Sequence, residues 1–204
     1  MSASITGVHC HSLRILHDVL NAWILANLRT VRAWKTAKDV PWWYNERASL
    51  SLLAGAVWQS GGVAFEEYSE DKRGIDHRKL TYRGRNDLYF KFRQREFICE
   101  AKQAWCGATR IRDRSSTRIE GRLDDACADI RKVSPRGQRR LGILFAVPYI
   151  ARSERANIDT VIERWVDALA RLDCCCAWVF PKSTRQVFHK PYVYPGVAVL
   201  LREV

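Results

Sequence analysis

Two carboxylates and an ammonium group fall close together in the stretch Arg85 to Gln103, RNDLYFKFRQREFICEAKQ. Asp87 is followed, after twelve intervening residues, by Glu100, and Lys102 lies two positions further on. Oxygen donors of this kind suit a hard divalent cation. Mg²⁺ takes ligands at about 2.0–2.1 Å and is commonly bound through one or two carboxylates, leaving positions for water and phosphate. Such a metal acidifies a bound water and neutralises charge on a phosphodiester. A lysine beside it can position that water or stabilise the developing charge. The chemistry open to these residues is therefore metal-assisted hydrolysis of a phosphate ester.

To act together they must be held on one surface, and the pattern around them supplies one. Leu88, Phe90 and Phe92 alternate with Asp87, Tyr89 and Lys91, while Phe97, Cys99 and Ala101 alternate with Ile98, Glu100 and Lys102. Period-two alternation on both sides of the polar run Arg93-Gln94-Arg95-Glu96 predicts a hairpin with a four-residue turn. In that register Phe92 faces Phe97, Phe90 faces Cys99 and Leu88 faces Ala101. Asp87 then stands opposite Lys102 and diagonal to Glu100, on the other face. Directly opposed Cβ atoms are about 4.5–5.5 Å apart and diagonal ones about 7–8 Å. The bland alternative is a cross-strand salt bridge on a wet sheet face, worth about 0.2–1 kcal/mol. The apolar Phe97-Ile98-Cys99 run leading into Glu100 and the matched parity favour a site.

An Asp on one strand followed by Glu-x-Lys on the next resembles the PD-(D/E)XK nuclease superfamily. Here the motif reads Asn86-Asp87 and Glu100-Ala101-Lys102, with Asn in place of the nominal Pro. The resemblance implies a restriction-endonuclease-like αβββαβ core over roughly residues 45–150. It implies Asp87, Glu100 and the Ala101 carbonyl as ligands to Mg²⁺, or Mn²⁺, and Lys102 as the catalytic lysine. Many members also bring a glutamate from the first core helix, a role that would fall to Glu46. The rival for Glu46 is a first-turn acid stabilising the helix dipole by about 0.3–1 kcal/mol. The function implied is a DNA endonuclease. The alternative is a non-catalytic nucleic-acid-binding or scaffold protein that keeps the fold.

Composition agrees with a polyanion partner. The chain has 204 residues, 47% of them hydrophobic, and a formal net charge of +12. That excess favours nucleic acid. No run of eighteen apolar residues or signal peptide is visible, which argues against a membrane. The seven cysteines include Cys174-Cys175-Cys176, and none of them shows metal-finger spacing. They read as reduced, buried thiols of a cytoplasmic protein. A homodimer would suit duplex cleavage, which needs two cuts.

The remaining elements follow from periodicity. Leu13, Leu16, Leu20, Ile24, Leu28 and Val31 predict a helix over 12–38, an N-terminal helical extension (1–40) ahead of the nuclease-like domain (41–204). After Pro41 and the aromatic trio Trp42-Trp43-Tyr44, a helix runs from Glu46 to Gln59 with Asn45 as its cap. Strands are expected at 63–68, 141–147, 174–180 and 196–201, and helices from Thr117 and over 158–172. Residues 69–79 and 103–116 read as loops. The second of these carries Trp105, Arg110, Arg112 and Arg114, which with Arg85 are candidate contacts to nucleic acid.

Overall fold

The computed structural model describes residues 3–34, 39–73, 81–109, 116–133 and 137–204. Its centre is a mixed sheet in the order β1-β6-β9-β5-β4-β3-β2. The strands are β1 (Ile5–His9), β2 (Val63–Arg73), β3 (Thr81–Phe92), β4 (Arg95–Gly107), β5 (Arg139–Ala151), β6 (Cys175–Phe180) and β9 (Val197–Glu203). A small pair, β7 (Phe188–His189) and β8 (Tyr192–Val193), hangs off the end of β5. The helices are α1 (His17–Ala33), α2 (Glu46–Gln59), α3 (Ser116–Arg131) and α4 (Ile158–Leu169).

Strands β4 and β5 run parallel and are joined through α3, while the other neighbouring pairs of the sheet are antiparallel. Helices cover both faces, so every residue of the apolar run Leu141 to Val147 is buried, as a two-sided strand requires. On one face α1 and α2 pack against Leu88, Phe90, Phe97, Cys99, Ala101, Ile143 and Phe145. On the other, α3 and α4 pack against Ala104, Cys106, Leu144, Ala146, Ala198 and Leu200. Asn45 caps α2 as expected, its side chain accepting from the Ala48 N–H at 3.1 Å. The class is α/β, a mixed sheet between helices.

Several boundaries differ from the sequence reading, each for an identifiable reason. The helix expected over 12–38 begins at His17 after a short 3₁₀ turn and ends at Ala33. Ahead of it, Ile5–His9 form an unforeseen strand that pairs with β6. Residues 3–34 thus share the sheet and the α1–α2 core with the rest of the chain. β2 continues to Arg73 and β4 to Gly107, so much of both expected loops is strand. In β4 the alternation persists through buried Ala104 and Cys106. Cys10 and Cys175 form a disulfide, which corrects the expectation of reduced thiols throughout. Cys99, Cys106, Cys127, Cys174 and Cys176 are free and buried.

The hairpin register is also corrected. β3 pairs with β4 as Phe92↔Arg95, Phe90↔Phe97 and Leu88↔Cys99. The turn is therefore two residues, Arg93 and Gln94, with φ of 46° and 62°. Left-handed φ at both turn residues is the type I′ geometry that matches strand twist. The strands slide by two positions relative to the expected four-residue turn. A two-residue slide preserves parity, so no side chain changes face.

Candidate active site between β3, β4 and α2

The ladder between β3 and β4 extends from the turn to Leu88↔Cys99. Asp87 is the next residue of β3. Its side chain takes over where the ladder stops: Oδ2 accepts the Ala101 N–H at 2.7 Å. Asp87 is thereby fixed against the Glu100-Ala101-Lys102 segment. The half-buried Asp87, the buried Glu100 and the half-buried Lys102 lie on the sheet face opposite Phe90 and Cys99, as the alternation predicts. Glu100 is only 6% exposed. Burial first, then the Glu100 and Asp87 charges, push the Cys99 thiol well above its ordinary range.

β2 is distorted at the same level. Glu66↔Leu88 and Tyr68↔Asn86 are paired, and Glu67 between them, across from Asp87, has φ +54°. A glutamate in the left-handed region of a strand interior is uncommon and marks local strain of the kind found at functional sites. Its carboxylate receives Arg47 at 2.8 Å and Arg85 at 3.7 Å.

Glu46, the first residue of α2, comes in from the other layer. Burial first, then the negative charge of Asp87, raise its pKa, against the charge of Lys102, a hydrogen bond from the Gln103 backbone and the charge of Arg122. Glu46 is therefore a neighbour of Asp87 and not a dipole acid turned to solvent. Gln103 is itself clamped: Ser49 Oγ donates to its Oε1 at 3.2 Å, and its Nε2 donates to the Trp42 carbonyl at 3.5 Å. That links the start of α2 to β4 at the motif.

Lys102 is held from the third direction by α3. Its Nζ meets Asp129 Oδ2 at 2.9 Å, and Asp129 Oδ1 meets Lys132 at 2.8 Å. Burial acts to lower the Lys102 pKa, but Asp129, Glu46 and Asp87 together outweigh it and the net shift is upward. Lys102 is thus tied to α3 through its charge.

The remaining expected contacts fare differently. Arg85 is exposed beside Glu67. Trp105 is partly buried on the α1–α2 core with its ring edge-on to Tyr194 at 5.2 Å, which makes it a packing residue. Arg110, Arg112 and Arg114 lie outside the described residues. Sequence reasoning missed Arg122 and Asp129, which sit seven residues apart and so on one face of α3. That spacing was the available signal.

The donor set fits a hard divalent cation in chemistry. Asp87, Glu100 and the Ala101 carbonyl are all oxygen donors, and two carboxylates meet the usual Mg²⁺ requirement. Burial first and the Asp87 charge second raise the Glu46 pKa, and a cation beside Asp87 would offset the second of these. Among the described residues, however, no three His, Cys, Asp or Glu side chains form a ready metal cage.

The raised Glu46 pKa has a definite consequence for stability. Between the ordinary carboxylate value of 4.5 and the raised one, the folded chain holds a proton that the unfolded chain has released. Stability contributed at Glu46 therefore falls as pH rises through that window. Glu46→Gln is expected to flatten this part of the profile and to raise the neutral-pH melting temperature. Melts across about pH 4 to 8 test the first effect. An unchanged pH profile would return Glu46 to the role of a solvated helix-dipole acid.

Comparison with known proteins returned no family model, no curated protein and no solved structure that matches the chain.

Proposed function

We propose that this chain is a divalent-metal-dependent nuclease of the PD-(D/E)XK kind, hydrolysing phosphodiester bonds of DNA. The observation that carries the reading is the Asp87 carboxylate locked to the Ala101 N–H, with Glu46 and Lys102 close enough to shift each other's protonation. The element order α2-β2-β3-β4-α3-β5, with β4 parallel to β5, supports it, because that is the αβββαβ arrangement the motif implies. The charge of +12 favours the substrate.

Asp87, Glu100 and the Ala101 carbonyl would hold Mg²⁺ or Mn²⁺, with Glu46 alongside. Bound there, the ion would supply Lewis-acid neutralisation of phosphate charge and an acidified water. The chain's own contribution is positional. Asp129 fixes Lys102 as a charged donor aimed at charge that grows during cleavage, and Ser49 and Trp42 hold Gln103 so that α2 and β4 cannot separate.

A non-catalytic nucleic-acid binder on the same scaffold is favoured by one observation, the Lys102–Asp129 ion pair, which an inert fold could use purely for packing. Incubation with circular and linear DNA substrates in Mg²⁺, Mn²⁺ or EDTA separates the two. Cleavage with either metal and none in EDTA is the expected result. Binding without cleavage under every metal would leave the binder.

A further inference from the structure

The face of β3 that carries Asp87 carries a row of chemically distinct side chains: Arg85, Asp87, Tyr89 and Lys91, successive members about 7 Å apart. Beside Asp87 this face is aromatic. Tyr89 is stacked on Phe65 of β2, with centroids at 6.3 Å and planes 21° apart. It is stacked on Tyr68 as well, at 4.9 Å and 25°. Trp58, at the end of α2, bends round the sheet edge to meet Phe65 edge-on at 6.4 Å, its indole N–H donating to the Ala64 carbonyl. Tyr89 packs against Ile98, Ile130 and Val133 at the end of α3, while the rings nearer the sheet edge stay in water. Phe65 is 52% exposed, Trp58 51% and Tyr68 39%. Three large aromatics left in water, two on the edge strand β2 and one at the end of α2, need an occupant.

Charge chooses it. Arg85 and Lys91 bracket the stack, held in exposed pairs with Glu67 and Glu96 at 3.7 and 3.5 Å that a phosphate can displace at small cost. A second copy would set one chain of net charge +12 against another, whereas a polyanion is drawn to either. Nucleic acid with paired bases has its ring faces occupied by its own stacking. Unpaired bases present theirs, and an aromatic platform takes them without regard to sequence.

We infer that the substrate reaches the site as an unpaired DNA strand whose bases extend the Phe65–Tyr89–Tyr68 stack while Arg85 and Lys91 hold its backbone. Its identity as a substrate rests on the nuclease reading; the platform itself rests on the rings. The strand then passes from the stack directly over Asp87, the neighbour of Tyr89 along the same face.

The test compares the Phe65→Ala/Tyr68→Ala double variant with wild type by fluorescence anisotropy in EDTA. The probes are labelled oligo-dT and a blunt duplex of equal length. Wild type should prefer the single strand, and each lost stacking contact should cost about 5- to 150-fold in that affinity. The single-strand to duplex affinity ratio should therefore collapse. Phe65→Trp in place of the alanine should restore it. The same proteins are then assayed for cleavage of both probes with Mg²⁺. If wild type cuts, and the variant binds and cuts single strand as wild type does, the platform is refuted and the nuclease reading survives. Loss of the single-strand preference in the variant, with no cleavage by wild type, sustains the platform and refutes the nuclease. Should the variant change only from dimer to monomer by light scattering, the aromatics cover a second copy and the inference falls.

Discussion

Lys102→Ala should lower single-turnover cleavage with Mg²⁺ by about 10²–10³-fold, the size seen when one preorganised donor to a developing charge is removed. Affinity should barely move. The substitution deletes one of 34 basic residues, so the salt dependence of binding changes by about one unit of slope at most. An interaction used only in the transition state leaves just this signature: a rate lost and binding kept. Glu100→Ala should go further and abolish metal-dependent cleavage. It should tighten DNA binding slightly, since a buried carboxylate near the phosphate is gone. Wild type and both variants are compared in a salt series of binding titrations and in single-turnover assays. If Lys102→Ala weakens binding and cleavage in equal proportion, Lys102 is an electrostatic anchor and the catalytic assignment is lost.

Phe90→Ala is expected to cost about 3–5 kcal/mol of folding stability, the usual range for truncating a buried phenylalanine. Phe90 is 1% exposed, lies across from Phe97 in the corrected register and stacks on it with centroids at 4.5 Å and planes 16° apart. It is the underside of the candidate-site hairpin, in one core with α1 and α2. Since domains are commonly stable by only about 5–15 kcal/mol, the variant should lose a large part of its total. Phe65→Ala is the natural contrast, because a half-exposed side chain should cost within about 0.5 kcal/mol if packing alone is at stake. Urea midpoints for the two variants report the difference. A cost below about 1 kcal/mol for Phe90→Ala would mean that the hairpin is not seated on the core as described.

The parity of the hairpin was legible in the sequence because it depends only on period two. Asp87, Glu100 and Lys102 share a face under any register that slides by an even number of residues. The register itself was not legible. A type I′ turn usually advertises itself with Asn or Gly, and Arg93 and Gln94 accept left-handed φ without either. Helix α2, its Asn45 cap and the doubly buried β5 were readable for the opposite reason, since each rests on a local pattern that no long-range partner has to complete. The strand at Ile5–His9 is five residues with a central glycine, and it exists because β6 pairs with it from the far end of the chain. The tail of β2, Ser-Glu-Asp-Lys-Arg, has no apolar alternation; the neighbouring strand alone makes it extended. In the site, Glu46 was readable as a helix-start acid near the motif. Asp129 was not, because a charged residue on an amphipathic helix looks solvated until the helix is laid against β4.

The pairing of β1 with β6 reverses the usual order in which a chain is secured as it is made. Ile5 pairs with Phe180, so β1 waits for a partner made 175 residues later. At about 5–20 residues per second that wait is roughly 9–35 s on the ribosome. Through it, β1 and the Cys10 thiol have no partner strand to close on, and α1 lacks β6, one of the strands it packs on. The sheet edge carrying β1 is therefore locked late, and until then β1 and α1 are open to chaperones and proteases. Trypsin should cut at Arg14 in a chain stalled before residue 175 and spare it in the released protein. Equal cutting in both would mean that α1 is protected before its sheet exists.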